Sequence, residues 1–212
     1  MTHAEEQTRP DVAAKRQRWR GEVMPTLDPA RLVFLDETAA KTNMARTHGY
    51  APKGQRLEGY APYRRWQTTT FLGAMRQGGF LAPLVVDGAM TSELFLAYVQ
   101  RVLVPELEPG SVVVMDNLSC HTQQAVRLAL AAAGHTVLYQ PPYSPDLNPI
   151  ELAFSKLKRL LRKAAERTVE GLWAALGRLL DRFSPQEWPT TSGTADTPLH
   201  HPEERTRGCA PG

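Results

Sequence analysis

The sequence predicts an α/β fold, a mixed sheet flanked by helices, and three observations carry that prediction. Two strand-like stretches, 67–75 and 80–86, are separated by Gln77-Gly78-Gly79, a hairpin signal. Downstream of residue 90, short apolar runs alternate with segments of helical period. Two apolar runs, Leu32-Val33-Phe34-Leu35 and Val112-Val113-Val114-Met115, end at an acidic residue, as buried strands do when the chain leaves the core.

In chain order, residues 1–30 hold no strand pattern, and 10–22 form a basic helix (Lys15, Arg16, Arg18, Arg20) ahead of the breakers Pro25 and Pro29. The first strand covers 32–35 and stops at Asp36-Glu37. The hairpin over 67–86 follows. Thr91 or Ser92 caps a helix to about residue 104, with Leu94, Phe95, Tyr98, Val99 and Val102 on one face. The strand 112–115 ends at Asp116-Asn117, and a helix over about 123–133 is terminated by Gly134. A short strand at 137–139 leads into the proline-stiffened PPYSPDLNP. A long helix then spans about 149–166 and another 169–183. Residues 189–212 contain four hydrophobic side chains, Ala195, Leu199, Cys209 and Ala210, too few to bury a surface, which predicts a disordered tail.

Composition narrows the class. A chain of 212 residues corresponds to one main domain at roughly 100–200 residues each. With 42% hydrophobic and 22% charged residues it is globular, and its net charge of +3 is a mild basic lean compatible with nucleic acid. Two cysteines, Cys120 and Cys209, cannot make a disulfide framework or a four-cysteine zinc site. The polar N-terminus lacks the apolar core of a secretory signal, and no apolar run approaches the roughly 20 residues that span a bilayer. The expectation is a soluble cytoplasmic protein without a membrane partner.

Three acids stand out by position. Asp36 and Asp116 each end a strand, and Glu151 lies in the first turn of the long helix. Open α/β sheets bind ligands beyond the carboxyl ends of their strands, so the first two acids can share a crevice that the helix supplements. Three converging carboxylates form a hard oxygen cage for Mg²⁺ or Mn²⁺, and two such ions roughly 3.5–4 Å apart serve in-line displacement at a phosphodiester. Each acid also has a plainer explanation. Asp36 and Asp116-Asn117 can open turns. Asn148-Pro149-Ile150-Glu151 fits a helix N-cap followed by its first three positions, with Glu151 closing a capping box.

The joint pattern decides between these. LVFLDET, VVVMDNLSCH and PPYSPDLNPIE, in this order, closely resemble the three catalytic blocks of DDE transposases from bacterial insertion sequences, in the branch related to the mariner transposases. Glu151 follows Asp116 by 35 positions, the close spacing of that branch. GYAPKGQR and WQTTTFLGAM also look like the family, and the resemblance covers roughly residues 10–187. It implies a ribonuclease H-like fold over 31–188, with Asp36, Asp116 and Glu151 as metal-binding catalytic triad and two Mg²⁺ or Mn²⁺ ions as cofactor. It further implies hydrolysis at element ends, strand transfer into double-stranded target DNA without a covalent enzyme–DNA intermediate, and insertion at TA dinucleotides.

Other residues are placed around this triad. Asn117 and His121 either orient the Asp116 carboxylate or contact the scissile phosphate, with a solvent-facing position at a helix N-terminus as the plain alternative for His121. Cys120 is inert packing, and Tyr143, Ser144 and Pro145 shape the loop that delivers Glu151. Arg46, His48, Lys53, Arg56, Arg64 and Arg65, interleaved with Tyr50, Tyr60, Tyr63 and Trp66, suit phosphate contacts and base stacking. On the long helix Lys156, Arg159, Lys163 and Arg167 share a face beside Lys158 and Arg162, a second DNA-binding candidate.

The sequence departs from the family at both ends. The 30 residues before the first strand are too few for the helix-turn-helix that reads terminal repeats, so the expectation is a separately encoded N-terminal DNA-binding part, or a fragment. Beyond Trp188 the family's aromatic helical close is replaced by patternless Thr, Pro, His and Arg. The expected assembly is a homodimer at the bacterial nucleoid. A catalytically silent remnant that binds DNA or a full-length partner is the alternative, and a ribonuclease H-type nuclease of RNA–DNA hybrids a third.

Overall fold

A computed structural model describes residues 5–183, apart from 57, 59, 61 and 64. The chain opens with a helical segment, α1 (Pro10–Arg18), which continues through a π-helical turn at Trp19–Val23 and short 3₁₀ turns at Met24–Thr26 and Pro29–Arg31. The sheet consists of β1 (Leu32–Lys41), β2 (Thr68–Arg76), β3 (Gly79–Asp87), β4 (Val112–Met115) and β5 (Thr136–Tyr139), in the order β3-β2-β1-β4-β5. Strands β1, β2 and β3 form an antiparallel meander, whereas β4 and β5 add in parallel. This is the mixed sheet expected from the hairpin followed by strand–helix alternation.

Helices cover both faces. Alternation along β1 turns Leu32 and Phe34 to one face, where they pack with Phe71, Val114 and Trp19 against Phe154, Leu157 and Leu161 of α5 (Pro149–Ala164) and Leu172 and Leu176 of α6 (Val169–Leu180). Val33 and Leu35 turn to the other face and meet α2 (Ser92–Tyr98), its π-helical continuation Val99–Leu103 and α4 (Gln124–Ala132), through Phe95, Tyr98, Leu103, Val126 and Leu130. A last short turn, α3 (Val104–Glu106), closes the α2 run two residues later than the sequence predicts. Thr91 caps it, accepting a hydrogen bond from the Leu94 amide at 3.2 Å.

Three boundaries differ from expectation, two of them for identifiable reasons. β1 runs to Lys41 instead of stopping at Leu35. Its pairing with β4 ends at Phe34↔Val114, but its pairing with β2 continues from Phe34↔Met75 to Lys41↔Thr68, so the antiparallel ladder carries Asp36 and Glu37 inside a strand that their propensities oppose. α5 ends at Ala164, where Ala165 turns left-handed (φ 55°), and α6 ends at Leu180. The expected tail at 189–212 lies outside the described residues. Among the described residues, no helix is long and apolar enough to cross a membrane.

Candidate active site

Because β1 and β4 are parallel neighbours inside the sheet, both deliver acids toward the same end of the sheet. Asp36 lies two residues past the last β1–β4 pair, and Asp116 directly follows Met115. Asp36 shares the strand face of Phe34, on which α5 packs, and Glu151 stands in the first turn of that helix. Asp36 is 7% exposed. Its Oδ1 accepts the Glu37 amide at 2.7 Å, and its Oδ2 accepts Asn148 Nδ2 at 2.9 Å. Burial pushes its pKa up to about 7; the Glu37 amide opposes this, and the charges of Asp116, Glu151 and Glu37 reinforce it. Glu151 is half-buried and makes no side-chain hydrogen bond or ion pair among the described residues.

His121 lies behind Asp116. It is fully buried, with Nδ1 2.6 Å from Asp116 Oδ1 and Nε2 2.7 Å from Glu37 Oε2. Two carboxylate neighbours require both ring nitrogens to donate, which is the imidazolium form. Burial acts to lower the His121 pKa, but the hydrogen bonds to Asp116 and Glu37, and their charges, raise it to about 9. Burial likewise acts to raise the Asp116 pKa, yet the His121 hydrogen bond and the Leu118 amide at 2.9 Å hold it below the usual carboxylate value. The Phe95 ring packs 4.5 Å from the imidazole, centroid to centroid. The solvent-facing alternative for His121 is therefore wrong: residues 119–122 form a turn that tucks the ring inward, and a fully buried ring cannot reach a phosphate.

Other sequence expectations divide. Asn117 does not orient an acid through its amide, which donates to the Gln140 carbonyl at 2.7 Å and ties the end of β4 to the end of β5. The capping box does not form: Asn148 makes no side-chain cap and its amide goes to Asp36, which among the described residues leaves Glu151 unengaged and the Asn148 Oδ1 buried without a partner. Lys156 donates to the Arg182 carbonyl at 2.9 Å and lies over the Phe183 ring, so it closes the α5–α6 hairpin. Arg167 donates to the carbonyls of Thr42 and Met44. Arg159 and Lys163 are exposed. Three- and four-residue steps along α5 carry the Glu151 line through Ser155, Lys158 and Arg162. Arg46, His48, Lys53, Arg56 and Arg65 are exposed, as are Tyr50, Tyr60, Tyr63 and Trp66; Arg64 lies outside the described residues.

Sequence reasoning missed Glu37, Asn148 and the contacts of the 143–148 loop. Glu37 was legible only to a reader who extended β1 by two residues, since alternation then sends it to the face opposite Asp36. Asn148 was hidden by its good fit to a helix cap.

The acids suit a divalent cation. They offer hard oxygens, the charges of Asp116 and Glu151 raise the Asp36 pKa, and no lysine or arginine pairs with Asp36 or Glu151 among the described residues. A second group, Glu37, Cys120 and His121, has its ligand atoms within 4.8 Å of one another. It does not suit a metal, because both His121 nitrogens are committed to carboxylates, and burial, joined by the Glu37 charge, keeps the Cys120 thiol protonated.

The sequence profile of the DDE superfamily endonucleases matches residues 31–172. No curated protein matches the sequence. Among solved structures, the Mos1 strand transfer complex is 24% identical with a TM-score of 0.63, over 76% of this chain and 50% of that one. The Mos1 mariner paired end complex with Mn is 20% identical (TM-score 0.69), over 89% of this chain and 59% of that one. The catalytic domain of Mos1 mariner transposase is 17% identical (TM-score 0.64), over 89% of this chain and 87% of that one. The chain thus spans about half to three-fifths of the chains in the two complexes, and it shares the ribonuclease H-like fold of the isolated catalytic domain.

Proposed function

The chain belongs to the DDE superfamily of endonucleases, and from that premise we propose that it is the catalytic domain of a bacterial insertion-sequence transposase of the mariner-related branch, cutting element ends and joining them to target DNA. One observation carries this reading: three carboxylates, from β1, from the end of β4 and from α5, lie close enough together for Asp116 and Glu151 to raise the Asp36 pKa. Asp36, Asp116 and Glu151 are the residues that would hold Mg²⁺ or Mn²⁺, as a pair of ions. Bound metal supplies activation of the attacking oxygen and stabilisation of the leaving one. The protein orients the carboxylates. The His121 imidazolium takes one oxygen of Asp116 and leaves the other for the metal side, and Asn148 holds Asp36.

DNA is the partner that the chemistry requires. Arg46, Lys53, Arg56, Arg64 and Arg65, with the exposed tyrosines, would grip the backbone on one side, and Arg159 and Lys163, joined by Lys158 and Arg162 on the Glu151 stripe, on the other. Catalysis is assigned to residues 31–188, and 1–30 and 189–212 are its flanking segments. Pairing of two ends favours a homodimer, in the cytoplasm at the nucleoid. The remnant alternative is not favoured, because all three acids are present and converge.

The test is nicking of supercoiled plasmid in Mn²⁺ by wild type, Asp36→Ala and Asp116→Ala. Nicking that EDTA and both substitutions abolish supports the assignment. Nicking that survives either substitution refutes it, and a folded, inactive wild type points to the remnant.

A further inference from the structure

Arg16 of α1 lies outside the span matched by the endonuclease family, yet it is one of the most buried charged groups described, at 9% exposure. Its Nη1 donates to Ser144 Oγ at 2.8 Å, to Asp146 Oδ1 at 2.9 Å and to the Tyr143 carbonyl at 3.4 Å, and its Nη2 donates to Asp146 Oδ2 at 2.6 Å. Arg20 Nη2 adds a bond to Asp146 Oδ2 at 2.9 Å, and Gln7 Nε2 a bond to the Tyr143 carbonyl at 2.8 Å. All of these partners fall within four residues that end two positions before Asn148. Tyr143 is left-handed (φ 54°), a conformation a tyrosine holds only when its surroundings over-determine it.

An ion pair that merely fastened α1 to the domain would need only Asp146. Here one guanidinium spreads over a backbone carbonyl, a hydroxyl and a bidentate carboxylate of a single loop, fixing its path as well as its attachment. That loop continues into Asn148, which bonds Asp36, and into the first turn of α5, which carries Glu151. We propose that Arg16 is a positioning residue, which through Tyr143, Ser144 and Asp146 sets where Asn148 and Glu151 stand relative to Asp36. The N-terminal helix is then a working part of the active site. This rests on the assignment of the three acids made above.

The experiment uses the full chain and two conservative variants. Asp146→Asn keeps the shape and removes the charge; Arg16→Lys keeps the charge and removes the fork. Mn²⁺ binding is measured by calorimetry without DNA, beside the Mn²⁺ requirement for nicking, DNA affinity in EDTA and the far-UV spectrum. Each variant is expected to weaken Mn²⁺ binding about tenfold, the scale for loss of an orienting partner, and to raise the Mn²⁺ needed for half-maximal nicking by the same factor. DNA affinity and helical content stay at the wild-type level. Combined with Glu151→Gln, each is expected to cost less than the sum of the separate losses, because both act in part through the Glu151 side chain. Mn²⁺ affinity within twofold of wild type in whichever variants fold, or full additivity with Glu151→Gln, overturns the inference and reduces Arg16 to a staple. If Glu151→Gln itself binds Mn²⁺ like wild type, the assignment of the acids falls and this inference falls with it.

Discussion

The two sides of the site are built by different means. Asp36 lies within β1, whose pairing with β2 extends on both sides of it, and Asp116 directly follows the neighbouring β4, so their spacing is inherited from backbone ladders. Glu151 is carried by a helix that no ladder joins to the sheet, and its start is tied to the rest of the domain by side chains: the Arg16 clamp, Gln140 Nε2 on the Leu147 carbonyl at 3.2 Å, and Asn148 on Asp36. The strand side is rigid by construction. The helix side is adjustable, and its geometry depends on polar contacts that one substitution can remove.

The largest expected effect is on the strand side. Asp36→Ala or Asp116→Ala should reduce metal-dependent nicking by about a thousandfold or more, since the metal contribution is worth several kcal/mol. Residual activity within tenfold of wild type would break the comparison by removing its fixed half. Glu151→Gln should cost somewhat less, on the order of a hundredfold, and leave the melting temperature unchanged, because this carboxylate makes no hydrogen bond that folding would lose. A clear loss of thermal stability in Glu151→Gln would mean that the helix side, too, is held through its acid.

Gly73 tests the ladder. It pairs with Asp36 across β1–β2, and a Cβ there would stand 3.1 Å from Phe80 Cδ1 and 3.2 Å from Phe71 Cε1. Gly73→Val should cost about 1–3 kcal/mol by overpacking, read as a lower denaturant midpoint. An unchanged midpoint would show that the rings yield and that the strand side is softer than its pairing suggests.

Protonation separates the sides again. Asp36 takes up a proton on folding, with a folded pKa of about 7 against 3.8, so its stabilising share is full below 3.8 and is lost as pH rises to 7. His121, at about 9 against 6.5, continues the same trend from 6.5 upward. The melting temperature of metal-free protein should therefore fall between about pH 5 and pH 9, and Asp36→Asn should flatten the lower half of that fall. A melting temperature that rises through this interval would contradict both assignments. The smallest effect belongs to the exposed cations. Arg159→Ala with Lys163→Ala should weaken DNA binding evenly across sequences and reduce the salt slope by about one to two, and an unchanged slope would remove that face of α5 from the interface.

Much of the fold was readable in the sequence because its signals are local. The glycine turn, the apolar runs and the cap at Thr91 each depend on a few neighbouring residues, and they returned four of the five strands close to their observed limits. β1 was the exception: Asp36 to Lys41 is a strand only because β2 lies beside it, and pairing of that kind has no local signature. The acids themselves could be picked out by their places at element ends and by their resemblance to the family. The contacts around them could not. The bond from Asn148 to Asp36 joins residues 112 apart, the bond from Glu37 to His121 spans 84, and the clamp spans 130. In each case the side chain had a satisfactory local role that concealed the distant one: a cap for Asn148, a solvent-facing helix N-terminus for His121, a basic helix for Arg16.

The order in which the site becomes complete follows from these separations. On the ribosome the meander of β1, β2 and β3 can form as soon as it emerges, since its strands are neighbours in sequence. Asp116 arrives later, and Glu151 only after three-quarters of the described chain has been made. A nascent or prematurely terminated chain therefore holds strand-borne acids without the helix-borne one.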